Sequence, residues 1–158
     1  MKKLILIFIT LIVGIAAINH SKDKDPLHKK IFITQVTEIK EGQPPKKSTK
    51  DEIEFKDGKL FSNFLNEKFD LKWLKYAIDK DSTYKDADTE IDTRYFEIKA
   101  SITDADKQTT VIICKINNEY IEGEIKITKN DKPKKRFEFS GSEKATKIKE
   151  DKKKKKDE

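Results

Sequence analysis

The chain has 158 residues, 41% of them charged, and a formal net charge of +6. The positive excess lies at the two ends, because residues 4–142 carry 25 basic and 24 acidic side chains. A nearly neutral domain argues against a nucleic-acid-binding protein, and the length predicts one domain between two terminal segments.

The N-terminal segment, residues 1–17, has the composition of an export signal. Two lysines precede an uncharged apolar stretch, and Gly14-Ile15-Ala16 offers a cleavage site between small residues. The alternative is an uncleaved segment that anchors the protein, but the stretch is shorter than the roughly 20 apolar residues of a membrane-spanning helix. We therefore expect an exported protein, periplasmic or extracellular.

A polar leader at residues 18–30 follows the signal and is predicted to be flexible. The folded domain is predicted over residues 31–142. Its first strand candidate is residues 31–39, in which Ile31, Ile33 and Val36 are expected to pack inward.

The clearest local signal is a β-hairpin over residues 51–64. Apolar and acidic residues alternate before Asp57-Gly58, a pair that adopts the positive φ angles of a two-residue turn at little cost. Pairing across this turn directs Ser62 inward, on the same face as Phe55. Phe61 falls on the other face and is exposed unless another side chain covers it.

Residues 66–80 allow two interpretations. A strand with a bulge after Trp73 explains the slip in the apolar alternation, whereas a short helix would place Leu74 and Ile78 on one side. We favour the strand. Residues 79–94 are polar and acidic and are predicted to form a long loop. Their carboxylates raise the alternative of a calcium-binding loop, but the glycine that such a loop needs at its sixth position is missing, so we expect a solvated loop.

The best-patterned part of the chain, residues 95–141, predicts four strands in a meander. Apolar residues alternate with charged ones in three of them, and residues 109–116 form a nearly continuous apolar run. Glycine within a strand often marks a bend, and Gly123 and Gly141 lie in or at the end of strands. The pattern therefore predicts an all-β fold, a single antiparallel meander that curls into a small barrel.

The C-terminal segment, residues 143–158, consists mostly of Lys, Glu and Asp. Such a composition cannot bury enough apolar surface to fold, so we expect a disordered Lys-rich tail. Clustered lysines are attracted to anionic membranes, and any membrane contact is expected to be peripheral, through this tail.

The chemistry-bearing residues favour a protein that is not an enzyme and that uses no metal or cofactor. His20 and His28 both lie in the leader, so a histidine metal site and a catalytic triad are not expected in the domain. Cys114 lies in an apolar strand, where a lone cysteine is most often a small buried hydrophobic residue.

Several short motifs follow one another across residues 51–144: Phe55-Lys-Asp-Gly-Lys-Leu-Phe-Ser62, Tyr76, Phe96-x-x-x-Ala100, Ile121-x-Gly123 and Phe137-x-Phe139-x-Gly141. In these motifs the chain resembles an uncharacterised family of small exported bacterial domains with a lipocalin-like, or calycin-like, β-barrel. The resemblance implies a barrel of about seven or eight strands and no known activity. The chain departs from the family pattern at residues 112–114 and in its acidic insertion.

Two functions from different classes fit these predictions. One is a binding module that holds a small apolar or amphipathic ligand in the barrel, with Ser62, Trp73 and Tyr76 as candidate ligand-binding residues. The alternative is a structural or interaction protein with a solid barrel, whose surface contacts a protein or envelope partner. A cavity of roughly 300 Å³ or more lined by Trp73 or Tyr76 would favour the first, and a filled interior the second. In both cases we expect a monomer that binds no nucleic acid.

Overall fold

The computed structural model describes residues 25–145. In this range the chain forms eight antiparallel strands and one short helix: β1 (Ile31–Ile39), β2 (Thr49–Lys56), β3 (Lys59–Ser62), α1 (Asn63–Phe69), β4 (Leu74–Lys85), β5 (Asp92–Thr103), β6 (Gln108–Asn117), β7 (Tyr120–Lys129) and β8 (Lys132–Glu143). Each strand pairs with the next along the chain, and β8 pairs with β1, so the sheet closes into a barrel. The predicted all-β meander is confirmed.

The interior is filled by apolar side chains that alternate along the strands with outward-facing ones. They form one cluster, which includes the predicted inward faces of β5, β7 and β8 and the buried Cys114. Members that the sequence pattern had placed in the core are Phe55, Phe96, Ile98, Ala100, Ile121, Ile125, Ile127, Phe137 and Phe139.

The hairpin formed by β2 and β3 has the predicted register. Asp57 and Gly58 form the turn with φ angles of 51° and 71°. Ser62 pairs with Ile53 and is buried, as predicted. Phe61 is half-buried, because Trp73 packs against its ring.

Two glycines let the sheet close tightly. A Cβ atom on Gly141 would lie 2.6 Å from the Cα atom of Thr34 on β1, and one on Gly123 would lie 2.7 Å from the ring of Phe139. Both distances are shorter than the contacts that Cβ atoms make in proteins. β8 can therefore approach β1 this closely at position 141 only because glycine has no Cβ atom.

The predicted inward face of β1 is wrong at two positions. Phe32, Thr34 and Val36 are buried, whereas Ile31 and Ile33 are half-buried on the outer face. Both faces of this strand carry apolar residues, so alternation alone could not decide between them. Pairing with β2 on one side and β8 on the other fixes which face turns inward.

The strand predicted over residues 66–80 is wrong in its first part, where the chain forms α1. The Ser62 hydroxyl accepts a hydrogen bond from the Leu65 backbone N–H, 3.1 Å away, and so caps the first turn. Asp70 ends the helix in the left-handed conformation, with φ at 51°.

The loop predicted over residues 79–94 is largely wrong, because β4 runs to Lys85 and β5 starts at Asp92. Only residues 86–91 connect the two strands. From Lys80 to Lys85 the side chains of β4 are exposed or half-buried, so no apolar alternation marks this part as a strand. Its irregularity lies between Ile78 and Lys80, not after Trp73.

The described part of the leader, residues 25–30, packs against the barrel, in contrast to the predicted flexibility. Leu27 is completely buried. The Lys29 N–H donates to the Phe55 carbonyl at 2.8 Å, and the Phe55 N–H donates to the Lys30 carbonyl at 2.9 Å. One buried side chain and two backbone hydrogen bonds hold this segment in place.

The barrel begins at Ile31, the predicted start of the domain, and extends one residue beyond its predicted end. β8 ends at Glu143, which pairs with Phe32 of β1 and forms an ion pair with Lys30. The predicted export signal, the first part of the leader with His20 and the tail from residue 146 onward lie outside the described residues.

Candidate functional site

The two ends of the barrel are covered by different segments. We call the end where residues 25–30 lie the leader end, and the end where α1 lies the α1 end. At the α1 end, α1 contacts β2 and β3, and its Phe64 packs against Phe137 of β8. This end contains an accessible aromatic surface, which makes it the candidate site.

A buried carboxylate, Asp51, holds α1 in position. It accepts hydrogen bonds from the Ser62 hydroxyl at 2.8 Å and from the Phe64 backbone N–H at 2.9 Å. The Glu52 N–H donates to the same carboxylate at 2.7 Å. The hydroxyl of Ser62, predicted as a ligand-binding residue, thus donates to Asp51 and accepts from the helix that it caps.

Burial raises the pKa of Asp51 above its ordinary value of 3.8, although the hydrogen bonds from Phe64, Ser62 and Glu52 act to lower it. Asp51 as a residue is only 3% exposed, and desolvation is the larger effect on its pKa. Asp51 therefore orders the first turn of α1 at an electrostatic cost.

Three aromatic rings meet above this cap and line a cavity of about 300 Å³. The ring centre of Phe64 lies 5.1 Å from that of Phe137 and 6.1 Å from that of Phe69, and all three pairs are edge-to-face. Phe64 and Phe137 are less than 10% exposed, whereas Phe69 is half-buried at the opening. The floor of the cavity is therefore apolar and formed by aromatic rings packed edge-to-face.

Four lysines and one glutamate surround this aromatic floor: Lys46, Lys47, Lys68, Lys135 and Glu38. The Glu38 carboxylate accepts a hydrogen bond from Lys46 at 2.5 Å. Its pKa is lowered, mainly by that hydrogen bond and further by the charges of Lys40 and Lys135. The opening of the cavity therefore carries a net positive charge.

The leader end is closed by an apolar and a polar contact. Leu27 fills the opening, while the Asp25 carboxylate accepts hydrogen bonds from the Gly58 N–H at 2.9 Å and from the Tyr76 hydroxyl. The Tyr76 ring packs edge-to-face on Phe55, 5.4 Å between centres. Burial, and then the bond to Asp25, raises the pKa of Tyr76. Tyr76 is thus engaged in holding residues 25–30.

Trp73 lies on the outer surface, where β3 and β4 share only two residue pairs. Its ring centre is 5.4 Å from that of Phe61, and the side chain is 39% exposed. Ser62, Trp73 and Tyr76 therefore do not line one cavity. Ser62 lies under α1, Trp73 lies outside, and Tyr76 faces the leader end.

The residues that line the cavity were not predicted as a site. Phe64 and Phe137 are predicted to lie in the core, which is correct. The alternation of apolar residues does not show that part of each ring also borders a cavity. Lys46 and Lys47 lie in a loop with no pattern. Two exposed lysines and two prolines in residues 44–47 were the only local signal.

Cys114 is buried beside Gly123 and Phe139, as predicted. Burial raises the pKa of its thiol to about 12, so the reactive thiolate form is strongly disfavoured at neutral pH. This environment is typical of a structural cysteine rather than of a nucleophile.

Within residues 25–145 no helix is long and apolar enough to cross a membrane. The same range contains no group of three or more side chains placed to hold a metal ion. In comparisons with known proteins, no family model, no curated protein and no solved structure matches the chain. The lipocalin-like family therefore stays a prediction from the sequence motifs, and the candidate site rests on its own geometry.

Proposed function

We propose that this protein is an exported, non-enzymatic binding module that holds a small amphipathic molecule at the α1 end of its barrel. The observation that carries the proposal is the cavity of about 300 Å³ over the rings of Phe64, Phe69 and Phe137. That volume is at the lower limit of ordinary ligand pockets. The lining combines four apolar residues with Thr49 and five charged residues, which suits an amphipathic molecule better than a purely apolar one.

The ligand site differs in position from the one expected from the sequence. The centre of the barrel is filled by packed side chains, and Leu27 closes the leader end. Binding is therefore proposed at one end of the barrel rather than through its interior, and the ligand is correspondingly small.

Native mass spectrometry of the protein purified from its own host, without detergent, tests this proposal. We expect an additional mass of a few hundred daltons that organic solvent releases. Thr49 lines the cavity, so Thr49→Trp should displace this mass by filling the opening. Thr83→Trp, at an exposed position on β4, is the matched control and should retain it. If both variants retain the mass equally, the ligand does not lie in this cavity.

The alternative is an interaction protein with a solid barrel, and the filled interior is the outcome expected for that class. A separate observation on the surface also favours it. Phe61 and Trp73 form an aromatic pair on the outer surface, with Trp73 39% exposed. Exposed aromatic residues are enriched in protein interfaces. A photo-crosslinker at position 73 should capture a partner in the host if this surface binds one, whereas one at Tyr84, an equally exposed position, should not.

Export itself is tested at the N-terminus. N-terminal sequencing of protein from the culture medium or the periplasm should give a chain that begins near residue 17. A chain that still begins at Met1 in the membrane fraction would support the anchored alternative.

A further inference from the structure

The four lysines at the α1 end come from three separate parts of the chain. Lys46 and Lys47 lie between β1 and β2, Lys68 lies in the last turn of α1, and Lys135 lies on β8. Only the closure of the barrel brings them to one opening. A single segment rich in lysine would be unremarkable in this sequence, but convergence from distant segments creates a positive field at one place.

The charges around the opening are not balanced locally. Of the residues that line the cavity, Glu38 is the one acid, and it is paired with Lys46. Lys135 lies with its ammonium nitrogen 5.4 Å from the centre of the Phe69 ring, so it stands directly over the apolar floor. A ligand that enters between Lys135 and Lys68 would place one end on aromatic rings and the other among ammonium groups.

The depth of the aromatic floor distinguishes a small ligand from a membrane. Phe64 and Phe137 are 7% and 5% exposed, so they are recessed below the lysines. A flat bilayer surface cannot reach recessed rings, whereas a single alkyl or aryl group can enter the opening. The geometry therefore favours a soluble, single-tailed molecule.

Building on the proposed function, we infer that the ligand is an amphiphile with an anionic head group, a carboxylate or a phosphate, bound by Lys47, Lys68 and Lys135. The apolar part contacts Phe64, Phe69 and Phe137. Positive charge selects the head group, and the small volume limits the tail to a short chain or a single ring system.

The experiment is an NMR titration of the ¹⁵N-labelled protein with four probes of equal chain length: octanoate, octyl phosphate, octanol and octyltrimethylammonium. We expect the two anions to shift amide signals of α1 and of residues 135–139, with affinities at least about tenfold above that of octanol. The cation should bind most weakly. Increasing NaCl from 0.05 M to 0.5 M should weaken binding of the anions and leave that of octanol nearly unchanged.

Charge variants test the assignment of the lysines. Lys68→Gln and Lys135→Gln should each weaken octanoate binding about threefold to fivefold, as expected for an exposed ion pair. Lys99→Gln, at an exposed position on β5, is the control and should have no effect. All three replacements are at the surface, so the variants should fold normally.

The outcomes separate the inference from the proposal beneath it. Octanol binding in the cavity as tightly as octanoate would overturn the anionic head group and keep the binding module. Failure of all four probes to shift signals around the cavity would overturn both. Binding to vesicles that contain an anionic lipid, without any binding of octanoate, would show a membrane-docking surface and overturn the inference.

Discussion

At the leader end of the barrel, a single leucine fills the opening. At the α1 end, a short helix covers the opening, and a buried carboxylate holds that helix in place. Leu27 is completely buried and Asp25 ties its segment to the hairpin and to Tyr76. At the α1 end, Phe69 remains half-buried under charged side chains. Apolar burial is thus complete around Leu27 and incomplete around Phe69, and the cavity floored by aromatic rings lies where the helix is.

The largest expected effect is at the leader end. Leu27→Ala removes a fully buried side chain and should lower the free energy of unfolding by about 2–5 kcal/mol. Phe69→Ala at the α1 end should cost less, because that ring is half-buried. Urea denaturation of both variants measures the difference. Equal losses would contradict the contrast between the two ends.

The cap of α1 should have the next largest effect. Asp51→Ala leaves the Ser62 hydroxyl and the Phe64 N–H without their acceptor, and an unsatisfied buried donor costs about 1–3 kcal/mol. Urea denaturation gives the total loss, and hydrogen exchange should show that α1 opens before the strands do. Uniform loss of protection over the whole barrel would contradict a local role for the cap.

The free energy of unfolding should change with pH in the direction set by the raised pKa of Asp51. Because that pKa is raised in the folded state, the folded protein binds this proton more tightly than the unfolded chain does. The contribution of Asp51 is fully present below its unfolded pKa and is lost as pH rises through the folded value. Relative to Asp51→Asn, which does not titrate, the native protein should lose stability as pH increases from 3 to 7. The opposite slope would contradict a raised pKa.

A smaller effect is expected from the polar contact of the leader end. Tyr76→Phe removes the hydroxyl that donates to Asp25 and should cost about 1–2 kcal/mol, since the acceptor is charged and half-buried. Tyr84→Phe removes an exposed hydroxyl that donates to Asn117 at 3.3 Å and should have almost no effect. Thermal denaturation of the two variants, side by side, tests whether Asp25 stabilises this end.

The smallest effect is expected from the C-terminal segment. Deleting residues 147–158 removes only one large apolar side chain, Ile148, so the melting temperature should change by at most a few degrees. Deleting residues 140–158 is the contrasting variant, because it also removes the pairing of Glu143 with Phe32. A large loss from the shorter deletion would show that the tail contacts the barrel.

The strands could be predicted where one face is buried and the other is in water. That condition holds for β5, β7 and β8, and the Asp57-Gly58 turn fixed the register of the hairpin as well. The condition fails for residues 80–85 of β4, which are largely exposed on both faces. It also fails for β1, which is apolar on both faces. In those two strands the outcome depends on pairing partners that are distant in sequence.

The candidate site was less predictable than the fold. The inward position of Ser62 follows from the hairpin, but its role in capping α1 depends on Asp51, eleven residues earlier. Lys68 lies on a helix that alternation did not indicate. Lys135 shares the inward face of β8 with Phe137, but it lies at the end of the barrel, where it is exposed. These lysines come together only because the barrel closes, and no local sequence pattern predicts which residues that closure brings together.

The pairing of β8 with β1 has a consequence for how the chain can be made. The first and last strands of the domain close the ring, so a nascent chain that ends before β8 exposes two unpaired edges, on β1 and β7. Exposed edges are templates for pairing with other molecules. Contacts between residues about a hundred positions apart also form slowly. The interval before the last strand is synthesised is therefore the period in which this protein is most prone to aggregate, and a chaperone that covers a single strand edge would protect it.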